Sequence, residues 1–222
     1  FERGFLISGS AASPQHWTPA LLAHEFGHYV METFSRMPSA NGAHSWNLRL
    51  WPPLAWSEGF ATFFAQWSLS TPELAISRFF TVQSNVQYWV DIEAIGSTPT
   101  SDDTSLSMTF PLPVTSGAED QSLGEGAVAA VLWDLYDDVD GEDESFSLGD
   151  SALVAIAEPR LASAGVDSGI SGPDLLDYLD ALTCGGYADA AELLPRLFGL
   201  PWDTTPERSE EHTSELQSRS DL

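Results

Sequence analysis

The sequence predicts a mainly helical fold with little strand. Three observations carry this. Apolar residues recur at helical spacing in several segments, some opened by a capping residue followed by Pro. One short apolar run between glycines, Gly4-Phe5-Leu6-Ile7-Ser8-Gly9, reads as a strand. The stretches between the helical segments are rich in Pro, Gly, Ser and Thr and read as loops.

Thr18-Pro19 reads as N-cap and first helical residue. The helix it opens runs to about Arg36, before Pro38, with Leu21, Leu22, Phe26, Tyr29, Val30 and Phe34 as its apolar part. Residues 37–51 are loop-like, with Pro38 and Asn41-Gly42, and Pro52-Pro53 follows. A second helix is expected from near Leu54 to near Ser70, and Thr71-Pro72-Glu73 caps a third. Residues 96–117 form a long polar loop or lid. Ser122-Leu123-Gly124-Glu125 has the capping-box pattern, opening a helix through Ala127, Val128, Val131, Leu132 and Leu135 that closes near Asp138. An acidic loop over 137–144 comes next, then helices at about 149–157, 173–182 and 187–198. No internal repeat is present.

The 222 residues suffice for one sizeable domain or two small lobes, and 43% hydrophobic content supplies a core. The formal charge is −25, and all eight bases are Arg. That excess repels phosphate backbones and argues against nucleic-acid binding. No stretch approaches the 18 or more apolar residues, roughly, of a membrane span. The acidity suits an extracellular or cell-envelope location, though an acidic soluble surface explains it equally. The single cysteine, Cys184, excludes an intrachain disulfide and a cysteine-based metal site. It reads as a small packing residue at a helix end.

The chain opens at Phe1 without Met, so upstream sequence is expected. Residues 208–222 differ in character. Within them, Arg208-Ser209-Glu210-Glu211-His212-Thr213-Ser214-Glu215-Leu216-Gln217-Ser218 resembles the translation of a common sequencing adapter. This stretch is read as a non-native tail, and His212 is not counted as a ligand candidate.

His24-Glu25-Phe26-Gly27-His28 fits the pattern His-Glu-x-x-His. On a helix, positions i and i+4 share one face, so both imidazoles can reach one ion. Glu25 projects to the side, where it can take a proton from a metal-activated water as general base. Two unliganded histidines on an ordinary helix are the bland alternative. A zinc site needs a third protein ligand. Glu58, within Trp56-Ser57-Glu58-Gly59-Phe60-Ala61 at the start of the second helix, is the best one. Taken alone it would read as an acid stabilising a helix dipole. Read with the first motif, it becomes the third ligand, provided the two helices pack antiparallel.

These two motifs together resemble the gluzincin metallopeptidases, which include the thermolysin, fungalysin and aminopeptidase N groups. There a Glu on the next helix completes a two-His, one-Glu zinc site. The resemblance implies an α+β zincin-like fold, with an active-site helix, a helical C-terminal lobe and an N-terminal sheet lobe that is mostly missing here. Residues 1–207 are thus expected to form a partial metallopeptidase domain. It also implies Zn2+ as cofactor and a peptide or protein as substrate. Gly126 to Leu135 is similar to the helix that follows the active site in thermolysin- and fungalysin-like enzymes. Those enzymes often carry a His just before it that stabilises the tetrahedral intermediate. This chain has Gln121-Ser122-Leu123-Gly124-Glu125 there instead. His44, Tyr88 and Tyr136 are the remaining candidates for that role, and Asp134 and Thr62 are candidates to orient a ligand histidine. The commoner reading makes His44 a solvated loop residue, the tyrosines packing residues and Asp134 a surface acid. The missing His motivates an alternative, a catalytically impaired zincin-like domain acting as a binding or structural module. Zinc-dependent hydrolysis of another bond is a third reading.

Overall fold

A computed structural model describes residues 18–36, 42–44, 50–70, 78–83, 86–92, 100–101, 124–137, 148–150 and 172–187. Within these residues the protein is mostly helical. The helices are α1 (Pro19–Phe34), α2 (Pro52–Leu69), α3 (Glu125–Tyr136) and α4 (Leu175–Cys184). Between α2 and α3 lie β1 (Arg78–Gln83), β2 (Val86–Asp91) and β3 (Thr100–Ser101).

Proline opens the first two helices. Pro19 begins α1 after Thr18, whose extended backbone marks the N-cap, and Pro52-Pro53 begins α2 after Trp51. The missing Pro N–H costs nothing at these positions, and the fixed φ suits the first turn. The starts thus fall at or within two residues of the expected ones, and α1 ends two residues before Arg36. α4 opens later than Pro173, because Asp174 forms a reciprocal capping box with Asp177: Asp174 accepts from the Leu176 and Asp177 backbones, and Asp177 accepts from the Asp174 N–H.

Two local expectations are corrected. α3 has Gly124, not Ser122, at its N-cap, with no side-chain cap. Glu125 is therefore the first helical residue rather than the reciprocal partner of Ser122. The helix expected from Thr71-Pro72-Glu73 does not continue past residue 77, because an antiparallel hairpin begins at Arg78. β1 and β2 pair from Arg78 opposite Asp91 to Gln83 opposite Val86, and β3 adds to β2 through Tyr88–Ser101 and Trp89–Thr100. Both strand segments are dense in aromatic and β-branched residues and stand two residues apart, which is the hairpin signature. Residues 71–77 themselves lie outside the described residues. So do the expected strand at 4–9, most of the loops at 96–117 and 137–144, nearly all of the helix at 149–157, the helix beyond Tyr187 and the tail at 208–222.

α2 is the centre of the fold. It packs against α1 on one side and α3 on the other, and also touches β1 and α4. The pairing of His28 with Ser57 and of His24 with Thr62 shows that α1 and α2 run antiparallel. Two glycines set the helix spacing. A Cβ on Gly27 would stand 3.0 Å from the Cα of Ala61. One on Gly59 would stand 2.4 Å from the Cβ of Val128 and 2.6 Å from the carbonyl of Glu125. Backbone therefore meets backbone across both seams. α3 is buried over nearly its whole circumference by Ala127 to Trp133 and Leu135, as an all-round apolar helix must be. Trp56 stacks on Tyr178 of α4 at 5.4 Å between ring centres, and Phe79, Val90 and Ile92 close the core from the hairpin side. No helix among the described residues is long and apolar enough to cross a membrane.

Candidate metal centre

The α1–α2 seam brings His24, His28 and Glu58 together. One ligand atom of each lies within 4.8 Å of the others. His24 Nε2 stands 3.2 Å from Glu58 Oε2, and His28 Nε2 stands 3.3 Å from the same oxygen. The two rings meet edge to face, 4.8 Å between centres, so both nitrogens point into one space. Ligands about 2.0–2.1 Å from a tetrahedral zinc lie about 3.3 Å from one another. The separations from Glu58 to both histidines match that value, and the donor set fits zinc.

The far side of each ring is also engaged. His24 Nδ1 lies 3.0 Å from Thr62 Oγ1, and His28 Nδ1 lies 3.2 Å from Ser57 Oγ. In the tautomer that frees Nε2 for a metal, each Nδ1–H donates to its hydroxyl oxygen. Ser57, Glu58 and Thr62 all belong to α2, so one helix carries a ligand and both orienting hydroxyls. Burial pushes the Glu58 carboxyl up. Hydrogen bonds from His24 and His28 and the nearby charges of His28 and His44 outweigh it and hold the group well below the usual carboxylate range.

Loss of either hydroxyl frees the imidazole it holds. Ser57→Ala and Thr62→Val are each expected to weaken zinc affinity by about 10–100-fold without unfolding the chain. Competition against a fluorescent zinc chelator measures this. An unchanged affinity in both variants would show that the hydroxyls do not orient the ligands.

Glu25 is half-buried beside His24 and is not part of the His24, His28 and Glu58 donor set. Its charge helps raise the pKa of His44. His44 is at the site as well. Its Nε2 lies 3.6 Å from Glu58 Oε2, and its Nδ1 lies 2.9 Å from Glu125 Oε2. The hydrogen bond to Glu125 raises its pKa; burial opposes this, and the charges of Glu58, Glu125 and Glu25 add to it. The ring is 39% exposed, yet both nitrogens face carboxylates.

Thr62 and His44 are thus brought to the site among the residues considered for supporting roles. Tyr136 is not. It ends α3, about 16 Å along the axis from Glu125, and packs on Phe63 and Trp133. Burial, with the charges of Asp150 and Asp137, pushes its hydroxyl up. Asp134 is half-buried on α3, about 14 Å from Glu125 along the axis, and is not part of the His24, His28 and Glu58 donor set. Tyr88 lies in β2, and its side chain is outside the described residues.

Two residues of the site were missed in the sequence, Ser57 and Glu125. Ser57 sits next to Glu58 in its motif, where i−1 on a helix faces obliquely. Glu125 is an acid at the head of an otherwise apolar helix, and a capping pattern accounted for it falsely. It is only 5% exposed.

Compared with known protein families, with characterised proteins and with solved structures, the chain matches none.

Proposed function

We propose that the protein is a zinc-dependent hydrolase of peptide bonds, with a gluzincin-like site in a zincin-like fold. The observation that carries this reading is the convergence of His24 Nε2 and His28 Nε2 on one oxygen of Glu58, at the spacing of ligands around zinc. His24, His28 and Glu58 would hold the ion. A bound zinc supplies Lewis-acid polarisation of the scissile carbonyl and lowers the pKa of its water to about 7. Glu25 takes the proton from the attacking water and passes it to the leaving amine. It can do so because it neighbours His24 without being drawn into the ligand set. Thr62 and Ser57 keep the imidazoles aimed, and the Gly27 contact holds α1 close enough to α2 for the ligands to meet.

A second reading, a zincin-like module that binds metal without turnover, is favoured by the absence of His from Gln121 to Glu125. Zinc uptake and digestion of a mixed peptide library separate the two. The enzyme reading expects zinc uptake that His24→Ala/His28→Ala abolishes at this site. It also expects cleavage that a chelator stops and added zinc restores. Metal-loaded protein without turnover establishes the module, and a chain that takes up no zinc sinks both readings.

A further inference from the structure

We propose that the chain holds a second divalent cation beside the first, bound by His44 and Glu125, with the Glu58 carboxylate shared between the two ions. The proposal rests on Glu58 being a metal ligand, as argued above.

Ligand atoms of His44, Glu58 and Glu125 lie within 4.8 Å of one another, and His44 belongs to this set rather than to that of His24 and His28. It is therefore not a fourth ligand of the first ion. Glu58 stands between the sets. Two imidazoles approach its Oε2 from α1, and a third approaches the same oxygen from the loop before α2.

The second set has the same character as the first. An imidazole nitrogen and a carboxylate oxygen face each other at hydrogen-bond distance, 2.9 Å for His44 and Glu125. Neither carboxylate is a solvated surface acid, since Glu125 is 5% exposed and Glu58 9%. Buried carboxylates require a cationic or metal partner. Among the described residues, the partners of both are imidazoles, with no guanidinium between them. The chain has no Lys that could serve.

The placement of Glu125 is built into the fold. Because Gly59 has no side chain, the first turn of α3 lies directly on α2 one residue past Glu58. Glu125 therefore reaches the site as the first residue of its helix. One imidazole with two carboxylates suits Zn2+, Co2+ or Mn2+. The exposed edge of His44 leaves room for water or substrate to complete the coordination. Two cations sharing a carboxylate also suit a reaction in which negative charge builds on a substrate oxygen, the role left open by the missing His.

The test is metal stoichiometry. The demetallised chain is titrated with Zn2+ by calorimetry, and bound metal is counted after gel filtration. The Co2+-loaded form is followed by electron paramagnetic resonance. We expect two ions per chain, with the Co2+ signal weakened by spin coupling when the second ion enters. His44→Ala and Glu125→Gln should each retain one ion, lose the second binding step and restore the uncoupled signal, with unchanged circular dichroism. One ion in the wild-type chain, equally retained by both variants, overturns the second site and leaves the hydrolase reading standing. Two ions in all three proteins also overturns it, by placing the second ion elsewhere. No bound metal in the wild-type chain overturns both proposals.

Discussion

Glu25→Gln is expected to lower peptide hydrolysis by about 10²–10⁴-fold, the usual contribution of a general base, while metal content stays at the wild-type level. The amide has the shape of the carboxylate but cannot accept a proton. Glu25 belongs to neither donor set, so its loss removes no ligand. The fall should lie in kcat, with KM little changed, because the missing interaction is made only in the transition state. Steady-state kinetics on a cleaved library peptide, with metal counted on the same sample, checks this. Wild-type turnover in the variant removes Glu25 from the mechanism. Loss of the metal along with the activity makes Glu25 a ligand instead.

The largest structural effect is expected from Gly59→Ala. Alanine is the better helix former by up to about 1 kcal/mol, so propensity alone predicts stabilisation. Packing predicts the opposite. The new Cβ would fall 2.4 Å from Val128 Cβ and 2.6 Å from the Glu125 carbonyl, and neither is the free end of a flexible side chain. Relief requires α3 to move off α2, at about 3 kcal/mol, the upper part of the overpacking range. The net loss of about 2 kcal/mol lowers Tm by about 4–8 °C for a chain of this size. Thermal melts decide the matter, and an unchanged or raised Tm would show that the seam is looser than described. Gly27→Ala is the milder companion, since its nearest contacts are 3.0–3.2 Å away. Zinc affinity should fall with Gly59→Ala as well, because the shift drags the residues flanking Glu58.

Much of the site was legible in the sequence because its geometry is local. His24, Glu25 and His28 share one helical stretch, so their relation follows from the helix repeat. Glu58 required a second motif and the assumption that two helices pack antiparallel, which the His28–Ser57 and His24–Thr62 pairs bear out. Thr62 was reachable as the residue one turn beyond Glu58. His44 and Glu125 are another matter. They lie 81 residues apart, and their hydrogen bond exists only because α3 docks on α2 at Gly59. No local pattern encodes such a contact. The hairpin at β1 and β2 was hidden for a different reason. Thr71-Pro72-Glu73 is a strong helix-start signal, and it drew the reading away from the aromatic and β-branched residues that follow.

That one helix carries Ser57, Glu58 and Thr62 bears on how the chain can change over generations. Connections that carry no residue of the site can gain or lose residues, unlike the α1–α2 connection, which carries His44. Within these six positions the chain tolerates no change in length. A single insertion or deletion between Glu58 and Thr62 turns everything beyond it by about 100°. The hydroxyl of Thr62 would then face away from His24, although every side chain needed for the site would still be present.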